Sequence, residues 1–392
     1  MISRLNAIGA VIVAASLVGG CGAFSKTTDT VSGWFGGNKA KITPAPLPEF
    51  KETRTLARAW AASAAEAGRY VFTPVADGEG VYVAGETGRV ARLNVQNGNE
   101  VWRVDTGKAL SAGVGAGEGL VLVGGAKGEL IALDAATGAK RWEVTLSSAV
   151  TGAPLSLREA VVVRTGDGRV AGLNPADGSR KWLYVRQLPP LSLQGTETLA
   201  VAEGTVFAGF SGGKLVAISA ANGVQFWEST VSLPKGATEL ERVSDVVGKP
   251  MLDEKRVCAV AYQGRVACFD RAKGGALWAR DTSSSVGLGM DEQYVYVTDA
   301  KDAVTAYDKE SGRAAWRQDK LANRRLTAPL PVGQHVVVAD FEGYVHVLSR
   351  EDGSFVARAR ADGGESRAMP VDIGPGFAVQ TAKGGVTAFK LN

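Results

Sequence analysis

The chain has 392 residues, 45% of them hydrophobic and 50 of them glycine, so it is long enough to bury a large core and rich in turns. Its formal charge is only +4, with acids and bases mixed along the length, and no basic tract argues for a nucleic-acid partner.

Arg4 precedes an apolar stretch, Ala7 to Val18, that ends in small residues before Cys21. It is too short and too soon followed by polar sequence to be a comfortable membrane span, and reads as an export signal. The run Leu17-Val-Gly-Gly-Cys21 resembles the lipobox of bacterial lipoproteins, with Val18 where Leu is usual. That resemblance implies a signal peptide over 1–20 and acylation of Cys21, which becomes the new N-terminus. Gly22 stands where an inner-membrane retention signal would be Asp, which favours the outer membrane. Residues 21–52, which include Thr43-Pro-Ala-Pro-Leu-Pro48, show no hydrophobic period and read as a lipidated flexible tether with a polyproline bias. Trp34-Phe35 lies within it.

From residue 53 onward the chain repeats one phrase, an Asx or Ser, then Gly four residues on, then Trp four after that. It occurs at Asn94…Gly98…Trp102, Asp134…Gly138…Trp142, Asn174…Gly178…Trp182, Ser219…Gly223…Trp227, Asp270…Gly274…Trp278 and Asp308…Gly312…Trp316. The Trp steps are 40, 40, 45, 51 and 38 residues, the period of four-stranded blades in a propeller. Ser349…Gly353 keeps the turn but puts Ala357 where Trp is due, and a further copy stops at the C-terminus. The outer strand it lacks is supplied by Thr55-Leu-Ala-Arg-Ala-Trp60, 42 residues before Trp102. The expected fold is therefore all-β: an eight-bladed β-propeller of four-stranded antiparallel blades over 53–392, its last blade closed by the N-terminal strand.

Within each unit, Gly88, Gly128, Gly168, Gly213, Gly264 and Gly343 sit six positions before the Asx residue, as expected of hairpins that need positive φ. The Asx side chain caps the next turn, and the Trp forms an apolar plate between blades. The repeated phrase is therefore structural.

The 45- and 51-residue steps reflect two insertions, one containing Gln187-Leu-Pro-Pro-Leu-Ser-Leu-Gln-Gly195 and the other Thr238-Glu-Leu-Glu-Arg-Val-Ser-Asp245. Both join an outer strand to the next inner strand, so both emerge on one face, on either side of one blade. Insertions gathered on one face of a repeat protein commonly mark its binding surface. Leu191 and Leu193 would be exposed there unless the loop folds back over them.

Only two histidines, His335 and His346, are present, and both lie in strand-like segments. No metal site, hydrolytic triad, nucleophile elbow or P-loop can be assembled, and the glycine-rich run Gly113–Gly119 fails dinucleotide spacing. No cofactor, metal or catalysis is expected. Cys258 and Cys268 flank the hairpin at Tyr262–Arg265 and form either a disulfide stapling it or two small buried thiols.

The phrase Ala-Leu-Asp-x-x-Thr-Gly-x-x-x-Trp at Ala132–Trp142 resembles the repeat of quinoproteins, whose enzymes hold pyrroloquinoline quinone and calcium. Those enzymes are longer and carry adjacent cysteines over the quinone, which this chain lacks. A small quinone-dependent dehydrogenase is the alternative function. From Cys21 onward the chain is more similar to the BamB family, lipoproteins of the outer-membrane β-barrel assembly machinery. The lipobox, the single eight-bladed domain, Pro190–Gly195, Thr238–Asp245 and Asp340-Phe-Glu-Gly-Tyr-Val-His346 carry that resemblance.

The resemblance implies a non-enzymatic scaffold, anchored by lipid to the outer membrane and facing the periplasm. Its implied partners are the POTRA domains of BamA, other subunits of the complex and unfolded barrel precursors. The implied contact residues are Leu191, Leu193, Gln194, Arg242 and Asp245. Gln194 stands where the family often has Arg.

Overall fold

A computed structural model of the chain describes residues 43–193, 198–362 and 364–392. Cys21, Trp34-Phe35 and Gln194 lie outside the described residues. Residues Pro44–Asn392 form one compact unit. Its strands assemble into eight four-stranded antiparallel sheets. In chain order blade 1 spans Val75–Asp105, blade 2 Leu110–Thr145, blade 3 Leu155–Val185 and blade 4 Ala200–Thr230. Blade 5 spans Val246–Asp281, blade 6 Leu288–Gln318 and blade 7 Leu330–Arg360. Blade 8 takes its three inner strands from Val371–Leu391 and its outer strand from Leu56–Ser63.

Six of the eight innermost strands are only two or three residues long, and small residues let all eight converge around one axis. At Gly115 an added Cβ would sit 2.0 Å from the Pro154 carbonyl oxygen, and at Gly289 it would sit 2.1 Å from that of Pro329. The two middle strands of a blade are sandwiched between neighbours, and Val161–Arg164 and Leu120–Gly125 are buried at every residue. Their β-branched content suits a pleated surface buried on both sides.

The repeated Trp occupies the outer strand and locks each blade to the next. The Trp182 indole donates to the Ala220 carbonyl (2.9 Å), and the ring packs on Gly223, where an added Cβ would meet it at 2.6 Å. Gly223 has φ +74°, so its turn tolerates no side chain on either count. Trp60, Trp102, Trp142, Trp227, Trp278 and Trp316 repeat the arrangement on Val95, Ala135, Pro175, Arg271, Lys309 and Arg350. Each accepting carbonyl belongs to the residue after the Asx or Ser of the next copy. The Asx caps as expected: Asn94 Oδ1 accepts the amides of Gln96 and Asn97, and Asp134 Oδ1 those of Ala136 and Thr137. The residue before Trp is left unpaired in a bulge, since Trp182 faces Gly172 while Arg180 faces Leu173.

The ring closes through Leu56–Ser63, which runs antiparallel to Gly385–Leu391 from Leu56↔Leu391 to Ser63↔Gly385. Thr55 and Asn392 exchange a reciprocal pair of backbone hydrogen bonds at 3.2 and 3.0 Å. Blade 8 therefore has no turn between its third and fourth strands, and offers neither a glycine nor a carbonyl to a Trp from blade 7. That is the physical reason for Ala357 at the Trp position.

One expectation needs correction. Gly264 does not have positive φ; the left-handed residue of that hairpin is Gln263, at φ 47°. Gly264 instead makes room for Ser232, whose Oγ would lie 2.5 Å from an added Cβ. In blade 6 the equivalent left-handed position is Asp302, at φ 64°.

Candidate partner-binding face

The connections from outer to next inner strand emerge beside the hairpins that join the second and third strands, as the bonds from Thr106 N to Gly88 O and from Leu146 N to Gly128 O record. Both insertions lie on this face, flanking blade 4. The first spans residues 186–199 and the second 231–245.

Asp245 ties the two together. Its carboxylate accepts the Leu193 amide from the first insertion (2.5 Å) and the Gly212 amide from the blade 4 hairpin (3.1 Å). Its own carbonyl accepts the Tyr262 amide of the blade 5 hairpin at 2.8 Å. Asp245 is fully buried, so the structure gives it the task of organising both loops rather than presenting a charge to a partner. Leu193 differs from its expected exposure as well: it is half-buried, packed against the cluster that contains Val247, Cys258, Cys268 and Trp278. Leu191 is exposed.

The second insertion is shaped by a capping box. Thr238 Oγ1 accepts the Glu241 amide, and Glu241 Oε2 accepts the amides of Thr238 and Ala237. These backbone donors hold the Glu241 carboxyl below its ordinary pKa. The Arg242 guanidinium turns back on its own loop, donating to the carbonyls of Gly236 and Ala237 and to Glu239. In the orientation that the surrounding carbonyls demand, the Gln263 amide nitrogen reaches Leu240, Glu241 and Val243. A left-handed Gln263 is what aims that side chain under the loop.

The outcome is a loop pair tied together at Asp245 that leaves apolar side chains uncovered. Leu191, Leu233 and Leu240 project from the insertions. Val185 of blade 3 ends its strand beside the first insertion, with Leu183 two residues before it, whereas Val224 and Phe226 of blade 4 and Leu277 of blade 5 lie toward the opposite end of their outer strands. Among the described residues these are eight of the nine exposed large hydrophobics, so uncovered apolar area is concentrated in one sector. Sequence reasoning missed Leu233, Leu240 and Phe226. A signal was present for Phe226, which stands before its Trp where Arg141 and Lys181 stand in earlier copies.

Cys258 and Cys268 face each other on adjacent strands of blade 5 and are joined as a disulfide. Among the described residues no group of three or more His, Cys, Asp or Glu side chains is arranged to hold a metal. The central channel encloses about 760 Å³. Lys249 lines it from the inner strand of blade 5, solvent-exposed within the channel, where the surrounding wall lowers its ammonium below the ordinary lysine value.

A family model described as outer membrane protein assembly factor BamB matches residues 86–318 and 300–392. The outer membrane protein assembly factor BamB of Pseudomonas aeruginosa is 46% identical over 364 residues, covering 92% of this chain and 96% of that protein. The protein of the same name from Burkholderia pseudomallei is 40% identical over 352 residues, covering 90% and 92%. The crystal structure of BamB from Moraxella catarrhalis superposes with a TM-score of 0.79 at 27% identity, covering 86% of this chain and 99% of that one. A quinohemoprotein alcohol dehydrogenase from Pseudomonas putida shares the fold at a TM-score of 0.68 but only 16% identity.

Proposed function

The chain belongs to the outer membrane protein assembly factor BamB family, and from that premise we propose that it is a non-enzymatic scaffold that docks on the periplasmic POTRA domains of BamA. In this role it helps to deliver β-barrel precursors for insertion, alongside the other subunits of the complex. It is held at the outer membrane, facing the periplasm, through a lipid on Cys21. Relatives at 40 to 46% identity are named as assembly factors, whereas the quinohemoprotein likeness carries the fold alone. The assembly reading is therefore favoured over a quinone-dependent dehydrogenase.

The observation that carries the docking site is the loop pair fixed by Asp245, with Leu191, Leu233 and Leu240 uncovered on it. Apolar side chains on loops tied down by buried hydrogen bonds lose less entropy on binding than those on free loops would. Arg242 and Asp245 support the site by shaping its loops.

The test is binding of the purified protein to the POTRA region of BamA from the same organism, with Leu191→Asp and Leu240→Asp beside the parent. A loss of at least tenfold in each folded variant is expected. Binding by the parent that neither substitution weakens would move the site elsewhere, and no binding by the parent would overturn the partner.

A further inference from the structure

The segment Asp340-Phe-Glu-Gly-Tyr-Val-His346 has no part in the loop face, yet it organises a dense polar cluster in blade 7. Asp340 is fully buried; its carboxylate accepts the amides of Glu342 and Tyr344 and binds Arg324 Nε at 2.8 Å. His346 Nε2 lies 3.1 Å from Asp340 Oδ2, and Arg358 Nε donates to His346 Nδ1 at 3.2 Å. A donor on Nδ1 requires that nitrogen to be an acceptor, so His346 is neutral with its proton on Nε2, directed at Asp340. Glu342 gives Arg324 a second carboxylate.

Both arginines still have guanidinium nitrogens free of this cluster, and both use them on the proline-rich stretch before the propeller. Arg324 Nη1 donates to the Ala45 carbonyl (3.0 Å), and Arg358 Nη2 to the Pro48 carbonyl (3.0 Å). Three further bonds run alongside. The Ala45 amide reaches Ala322 O (2.8 Å), the Thr53 amide reaches Val356 O (3.0 Å), and Glu52 Oε1 accepts the Arg358 amide (3.2 Å). Phe50 stacks on Phe355 at 5.2 Å, with the Arg358 guanidinium 4.9 Å from its ring centroid. The segment thus lies beside the one outer strand that carries no Trp.

We propose that Arg324 and Arg358, seated by Asp340 and His346, form a docking site for this chain's own proline-rich linker and fix the N-terminal segment to blade 7. An extended stretch without internal hydrogen bonds presents its carbonyls outward, and two planar, preoriented guanidinium groups match that pattern without reading side chains. Given the lipid anchor proposed above, on which the consequence rests, docking of residues 44–52 withdraws about 30 Å of extended chain from the tether. It also makes the anchor depart from blade 7 rather than from the closing strand of blade 8.

The experiment is amide hydrogen exchange on the mature full-length protein in detergent, with Arg358→Ala on the propeller side and Phe50→Ala on the linker side. In the parent, the Ala45 and Thr53 amides should exchange at least tenfold more slowly than in a free peptide of the same sequence. Each substitution should remove most of that protection while leaving the amides of Leu193 and Cys268 unchanged. Free-peptide rates at Ala45 and Thr53 in the parent would overturn the proposal, as would full protection in both variants. The mass of the N-terminal peptide from the same samples tests the anchor separately. Protected amides on a chain that lacks acyl groups would overturn the anchor and leave the docking site; acylated chains with unprotected amides would do the reverse.

Discussion

Asp245→Ala separates an organising residue from a contacting one. The substitution removes a fully buried carboxylate that accepts two part-buried amides, Leu193 N at 2.5 Å and Gly212 N at 3.1 Å. Stranding a buried donor costs about 1–3 kcal/mol. Leu193 lies at a loop where water can reach once the carboxylate is gone, so its share falls at the lower end. The sum is a destabilisation of about 2–4 kcal/mol. Asp245→Asn keeps one acceptor oxygen and should lose about half as much. Binding should suffer too, because a loosened first insertion must be reordered on docking; at 1.4 kcal/mol per tenfold, about 2 kcal/mol of ordering weakens affinity by about 30-fold. The assay is hydrogen exchange in the free protein, read at Leu193 and Gly212, alongside urea unfolding and POTRA binding. Faster exchange at both amides before any partner is added is the expected result. Unchanged exchange together with lost binding would show that Asp245 meets the partner directly and would refute the reasoning.

Four other outcomes follow from the geometry. Gly223→Ala should cost about 1–2 kcal/mol for its left-handed backbone and about 1–3 kcal/mol for the clash with Trp182. Only the backbone part should persist in a Trp182→Ala background, and an additive double-mutant cycle by urea denaturation would contradict the packing account. Burial lowers the His346 pKa despite the opposing pull of Asp340, so between that lowered value and about 6.5 the unfolded chain holds more protons. Stability should be fully present above that window and decline as pH falls through it, and urea midpoints at several pH values in parent and His346→Gln should show the variant losing the slope. Burial alone would raise the Asp340 carboxyl, but its bonds from His346 and Arg324 prevail and hold it below the usual range, so a second acid loss should appear at lower pH. Replacing Cys258 and Cys268 together by Ser opens a loop with a sequence separation of 10 and should cost about 2–3 kcal/mol, with partner binding retained in the folded protein; equal urea midpoints would count against the estimate.

Much of this architecture was legible in the repeated phrase because period and chemistry coincide there. The Asx that caps a turn, the Gly that crosses it in left-handed backbone and the Trp that lands on the next turn are three parts of one contact. A substitution in any of them shows as a break in the period. Ala357 was visible as such a break, but its cause lies between chain ends that only the folded ring brings together. The two insertions were legible as extra length. Which of their residues face outward was not, because Leu191 and Leu193 have identical side chains and differ only in what Asp245 does 52 positions away. A lone acid in a loop reads as solvated until its amide partners are known. The same limit applies to Arg324 and Arg358, whose acceptors at Ala45 and Pro48 are backbone atoms with no signature in residue type.

The docked linker also sets how the ring would bear a mechanical load. Leu56–Ser63 pairs with the last strand in antiparallel order, and its first pair, Leu56↔Leu391, lies at the end nearest the N-terminus. A pull on the N-terminus would strip that strand as a zipper opens, breaking one rung at a time at low force. The linker stands upstream of the first rung. Its two guanidinium clamps, stacked Phe50 and the bond from Thr53 to Val356 must all yield before tension arrives at Thr55 and Asn392. The segment therefore acts as strain relief for the seam, as a cable clamp protects a joint.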